Sequence, residues 1–287
     1  MTEYRYQLDM AGLVWEFVSP VELERSENCA PFGTDRPGAD CRVRFRLGCP
    51  EARGTLLRES LPRAWQDGRV LRIERAPSAA LTGCACIDVD LDRPQRVDGW
   101  IYPDRTGMFR NLANLLDASD LETLLALFDA FSLHSSLVRR QEGDAILFTA
   151  PCGTGKSTQA ALWERYAGAD TLNGDRSLLR AVDGVWTAFG SPFAGSSGIY
   201  RKESAPVRAL VVLRQAPENS ICRLRAAEAF RAIYSESVLP RWHTETHQRV
   251  IELITAIVNA VPVYRLACTP DERAVTLLRE TLEGEEP

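Results

Sequence analysis

The chain has 287 residues, of which 45% are hydrophobic and 25% charged, and its net charge is -5. This balance excludes a collagen-like chain, a disordered chain and a miniature scaffold, and it argues against a nucleic-acid binder, which carries a basic face. No run approaches the ~20 apolar residues of a membrane helix. The start, Met1 to Tyr6, lacks a basic-then-apolar leader, and the eight cysteines show no C-x-x-C pair. The expectation is a cytoplasmic protein with reduced thiols. Lysine occurs only at Lys156 and Lys202, so 32 of 34 cations are arginine.

The first hundred residues read as strands and turns. Strands are expected at Leu13–Val18, Cys41–Leu47, Arg69–Arg75, Cys84–Leu91 and Arg96–Tyr102. Asp67-Gly68 marks a hairpin turn, and the Pro, Gly, Asn and Asp residues of Glu24–Asp40 mark an exposed loop. The period then changes. Ser119 and Glu122 have capping-box spacing, and Leu121, Leu124, Leu125, Phe128 and Phe131 follow at helical spacing, which predicts a helix over 120–132. Ser136–Arg139 and Ala145–Thr149 read as strands around a Gly143-Asp144 turn. A helix is expected from Gly155 to Tyr166, and a strand end at Thr171–Asn173. Ser177–Val182 and Val185–Phe189 flank Asp183-Gly184 as a second hairpin. Val207–Arg214 and Val263–Ala267 read as strands, and Ala226–Ser235, Thr244–Ala260 and Asp271–Leu282 as helices. The pattern predicts an α/β fold with a mixed sheet, divided into a β-rich region 1–105, a helical connector 106–133 and a core 134–287.

Ala150-Pro151-Cys152-Gly153-Thr154-Gly155-Lys156-Ser157-Thr158 matches G-x-x-x-x-G-K-[ST] except at Ala150. An apolar strand precedes it and a helix follows, the context of a phosphate-binding P-loop. Gly153 and Gly155 let the backbone curl so that amides, including those of Thr154 and Thr158, face an anion, and the helix start adds its dipole. Lys156 is a compact cation for the β- and γ-phosphates, kept as lysine in a chain that otherwise uses arginine. Ser157 can offer its hydroxyl to Mg²⁺. Asp175, in Asn173-Gly174-Asp175-Arg176, follows a strand, where a carboxylate coordinates Mg²⁺ or activates an attacking hydroxyl. His134 precedes the loop, either as a site residue or as the cap of the 120–132 helix. Arg201 and Lys202 follow the glycine- and serine-rich Gly190–Gly198, a segment suited to lie over phosphates or simply to be exposed. His243 and His247 are one helical turn apart, a metal pair or core residues. Cys152 sits at a helix start that favours a thiolate.

His134, the glycine-rich loop, Asn-Gly-Asp-Arg and Gly-Ser-Pro-Phe-Ala-Gly together resemble the HPr kinase/phosphorylase-related proteins, which share the nucleotide-binding fold of phosphoenolpyruvate carboxykinase. The resemblance covers roughly 120–268. It implies ATP and Mg²⁺ as cofactors, with His134 and Asp175 flanking an acceptor hydroxyl. This chain has Gly174-Asp175 where that family pairs two acidic residues, and it lacks the family's Glu-Arg-Gly segment. Both departures point away from HPr itself, toward a peptide, another protein or a small hydroxyl compound. The expected site comprises Asp175, His134 and Lys156 as catalytic residues, and Gly153, Thr154, Gly155, Lys156, Ser157, Thr158, Arg201 and Lys202 for the nucleotide. Ser157 and Asp175 are the expected metal ligands. A nucleotide-binding regulator without catalysis and a carboxykinase-like enzyme are the alternatives.

Overall fold

Cys41–Leu47 alternates buried Cys41, Val43 and Phe45 with outward Arg42, Arg44 and Arg46, the signature of a sheet with one face on a core and one in water. In the computed structural model, which describes residues 2–76 and 82–284, the chain divides into two compact units. Met1 of the N-terminal reading, and 77–81 within the 1–105 division, lie outside the described residues. The first unit comprises residues up to Phe128 together with Pro240–His247; the second comprises Asp129–Leu239 and residues from Gln248 onward.

The strands of the first unit are β1 (Tyr4–Met10), β2 (Leu13–Ser19), β3 (Cys41–Leu47), β4 (Thr55–Arg58), β5 (Arg63–Asp67), β6 (Val70–Arg75), β7 (Ala85–Asp90) and β8 (Arg96–Ile101). They form one sheet in the order β1-β2-β3-β8-β7-β6-β5-β4. β3 runs parallel to β2 and β8, and the other pairs are antiparallel. The five expected strands are present, and the expected hairpin joins β5 to β6, its turn residues being Gly68 and Arg69 after Asp67. β1 escaped the sequence reading because its hairpin turns through Ala11 and Gly12, both left-handed at φ 56° and 73°, and alanine conceals that turn. On the outward face, Arg42 pairs with Glu16, Arg44 with Glu3, and Arg46 with Asp98. Beneath it Phe45 lies opposite Gly99 on β8, where any side chain would strike its ring.

The expected helix over 120–132 is replaced by three elements. They are α1 (Leu112–Ala118), α2 (Leu121–Leu127) and the start of the long strand β9 (Ala130–Arg139). Ser119 does not cap α2; its hydroxyl donates back to the Leu115 carbonyl and closes α1. Asp120, fully buried and left-handed at φ 47°, precedes α2 instead, and its carboxylate pairs with Arg75, as does that of Glu122. Burial pushes the Asp120 carboxyl pKa up despite the opposing pull of Arg75. Phe128 ends α2, Asp129 reverses the chain at φ 57°, and Phe131 is a strand residue. The run Leu-Phe-Asp-Ala-Phe-Ser-Leu carries no decisive period, and cross-strand pairing settles it. The 106–133 segment is thus shared between the two units.

The second unit contains β9, β10 (Ala145–Thr149), α3 (Lys156–Ala167), β11 (Asp170–Asn173), β12 (Arg176–Val182), β13 (Val185–Phe189), β14 (Ser204–Gln215), β15 (Ser220–Arg223), α4 (Ala226–Glu236) and β16 (Ser237–Val238). α5 (Thr244–Ala260), β17 (Val263–Cys268) and α6 (Glu272–Glu283) complete the chain. Its sheet runs β10-β9-β12-β13-β14-β17-β15, with a further β10–β14 pairing. β10, β14 and β17 are parallel, while β9, β12, β13 and β15 enter antiparallel, so the sheet is mixed as expected. The 177–182 and 185–189 hairpin is present as β12 and β13. β9 is the organiser: Ala130–His134 pairs with β12, and Ser135–Arg139 pairs with β10. β10 is buried throughout. It packs with Trp163 of α3, Tyr264 of β17 and Leu278 of α6 into one apolar cluster. Asp271 caps α6 by accepting from the Ala274 amide. Among the described residues, no helix is long and apolar enough to cross a membrane.

Candidate active site

β10 ends at Thr149, whose hydroxyl donates to the His134 carbonyl of β9 at 2.9 Å. The chain then enters the glycine-rich loop and leaves it as α3. Gly153 and Gly155 take φ of 78° and 115°, values an L side chain resists, and open space surrounds both α-carbons. Gly155 caps α3 without any side-chain bond, which leaves the first amides of the helix for a ligand. Ser157 and Thr158 are exposed on the first turn and Thr154 is half-buried. Lys156 is buried, and its ammonium donates to the Ala150 carbonyl at 2.7 Å and to that of Pro151 at 3.4 Å. Desolvation pulls its pKa down, while Glu236, Cys152 and Asp175 favour its charged form. A desolvated cation beneath open helix amides is a fit for phosphate oxygens. Cys152 is exposed on the same loop.

Asp175 reaches the same place from the opposite edge of β9. β11 and β12 both pair with β9, and the Asn173–Asp175 turn lies between them. The Asp175 carbonyl accepts from the Ser135 amide, and its own amide donates to Asn173 Oδ1. Asn173 is fully buried, and its amide nitrogen donates to the Ser191 and Phe193 carbonyls at 3.0 and 3.2 Å. The Gly-Ser-Pro-Phe-Ala-Gly segment therefore braces the aspartate turn. A side chain at Gly195 would strike the Asp175 carboxylate.

His134 bridges two carboxylates, with Nε2 3.4 Å from Asp175 Oδ1 and Nδ1 3.5 Å from Glu236 Oε2. It lies mid-strand and caps no helix. Glu236, at the end of α4, was not among the expected residues. Its neighbour Ser237 pairs with Leu133, and no local spacing in the sequence announces that long-range pairing.

The structure gathers His134, Asp175, Lys156, Ser157, Thr158 and the loop glycines where β10 ends beside the middle of β9. It does not gather Arg201 with them. The Arg201 amide donates to the Leu172 carbonyl, and its guanidinium faces Asp170, which sits beside Arg139. Arg139 is five residues along β9 from His134, about 17 Å at the rise of a strand. Lys202 follows Arg201 and is exposed. His243 caps the first turn of α5, with Nδ1 accepting from the Thr246 amide. Among the described residues no group of three or more His, Cys, Asp or Glu is arranged to hold a metal.

No family model matches the chain, and no curated protein matches it. Ninety-four chains of solved structures do. One is the Hpr(Ser) kinase/phosphatase from Coxiella burnetii, 13% identical, with a TM-score of 0.32 over 53% of this chain and 93% of that one. A likeness of that size assigns neither activity nor substrate to this chain.

Proposed function

We propose that this protein is an ATP-dependent phosphotransferase of the HPr kinase/carboxykinase type, acting on a hydroxyl of a peptide, protein or small molecule. The observation that carries the reading is the meeting of His134 and Asp175, 3.4 Å apart, at the strand end from which the glycine-rich loop and Lys156 emerge. The loop amides and Lys156 bind the phosphates and stabilise charge on the transferring group. Asp175 accepts the acceptor's proton as the oxygen–phosphorus bond forms and ADP leaves. His134 and Glu236 hold that carboxylate in register. Mg²⁺ bound with the nucleotide would be held by Ser157 and Asp175, and would neutralise phosphate charge.

Asp175→Asn preserves shape but removes the proton acceptor. Phosphoryl transfer from labelled ATP, screened over peptides and small alcohols, should fall at least ~10²-fold, while nucleotide binding by calorimetry survives. Near-normal transfer by that variant would remove Asp175 from the reaction. Tight nucleotide binding by the wild type, with neither transfer nor hydrolysis, would instead make the protein a regulator.

A further inference from the structure

Continuous with the glycine-rich loop lies a cavity of about 390 Å³, which Thr158 of the first helical turn also lines. The backbone of Gly153–Gly155 forms one wall. Leu213, Ala216 and Pro270 provide apolar surface, and Gln159 and Cys268 are among its lining residues. The walls come from the ends of parallel β14 and β17, where Gln215 and Cys268 are register partners, the place where open α/β sheets receive ligands. The volume falls within the range of small-molecule sites.

Gln159 supplies an independent observation. It is 3% exposed. Its Nε2 donates to Cys268 Sγ at 3.3 Å, and its Oε1 is buried with no hydrogen-bond partner. A thiol both donates and accepts, so turning the amide over changes which atom is orphaned without removing the orphan. The last glutamine torsion is soft, so the amide can rotate toward the cavity it lines. A buried acceptor lacking a donor is destabilising until a ligand supplies one.

Resting on the nucleotide reading above, we infer that this cavity receives the nucleobase of the nucleotide whose phosphates lie on the loop, and that Gln159 reads it through an exocyclic amino group. Adenine carries such a donor at C6. Unsubstituted purine, of nearly the same shape, carries only hydrogen there, and neither orientation of the Gln159 amide can bond to it. The apolar walls take the base faces, and Gln159 provides the polar selection.

The test compares ATP, purine riboside triphosphate and inorganic tripolyphosphate, each with Mg²⁺, by calorimetry on the full chain. ATP should bind at least about tenfold more tightly than purine riboside triphosphate, the ratio expected of one hydrogen bond, and more tightly than tripolyphosphate. Gln159→Met should bring ATP and purine riboside triphosphate together. Ala216→Trp, at the half-buried rim, should erase the advantage of ATP over tripolyphosphate and leave tripolyphosphate bound. The comparison in the wild type needs no variant to fold. Equal binding of ATP and purine riboside triphosphate overturns the role of Gln159. Tripolyphosphate binding as tightly as ATP overturns the base cavity while sparing the phosphate site. Failure of all three to bind overturns the nucleotide reading, and this inference with it.

Discussion

The two sheets use polar residues in opposite ways. In the first unit, β3 turns Arg42, Arg44 and Arg46 outward to acidic partners, while Phe45 and its neighbours fill the core. In the second, β10 is buried on both faces, and its polar chemistry waits until the strand ends. An exposed sheet face satisfies charges in pairs along its length, where each is screened and weak. A strand buried on both sides has no such face, so charged groups collect close together at its mouth. Lys156, His134, Asp175 and Glu236 are that collection. Ion pairs such as Arg46–Asp98 therefore mark architecture, whereas the His134–Asp175 contact lies at the proposed active site.

The comparison breaks first at the core. Phe45→Ala should destabilise the first unit by about 3–5 kcal/mol in urea unfolding, the cost of a buried aromatic and the cavity it leaves. A small change would mean that the outward ion pairs, and not the apolar face, hold that sheet together. Lys156→Ala tests the second unit. ATP with Mg²⁺ at a hundredfold excess over Kd should stabilise the wild type by about 2.7 kcal/mol. The variant should lose most of that in a thermal melt while its ligand-free transition stays nearly unchanged. A variant that retains the full shift would show that the buried cation is structural, like those of β3.

Asp98→Ala sharpens the contrast from the other side. It removes the partner of Arg46, with both side chains about half exposed at 46% and 56%, and should alter stability by no more than about 0.5 kcal/mol. The smallest effect concerns Asp271 at the start of α6. A hydrogen bond from Arg273, aided by Asn219 and Thr269, holds its carboxyl down to about 2, below the ordinary 3.8. A depressed folded-state pKa stabilises above the unfolded value and loses that contribution as pH falls from about 4 through about 2. The melting temperature of the wild type should exceed that of Asp271→Asn at pH 6, and the two should converge near pH 2. A gap that persists at low pH would refute the electrostatic origin.

The strand–loop–helix unit of β10, the glycine-rich loop and α3 was legible in the sequence because every signal in it is local: an apolar run, two glycines, a lysine and a helical period. The β12–β13 hairpin was legible for the same reason, through Asp183-Gly184. The segment from 119 to 134 was not. Ser119 and Glu122 have capping-box spacing, but the serine closes the preceding helix and the glutamate faces Arg75. Phe131 fits a helical period, yet pairs as a strand.

The sequence by itself determined the α/β class, the phosphate-loop motif and the candidacy of His134 and Asp175, because residue type and short spacing suffice for these. Tertiary structure alone decided which candidates meet. Pairing along β9 brings Asp175 and His134 together, delivers Glu236 from α4 and carries Arg201 to the far end beside Asp170. It also sets Gln159 with an unpartnered buried oxygen beside Cys268. Such contacts span tens of residues in the chain, and they exist only once long-range strand pairing has fixed the register, which no local pattern of residue types encodes.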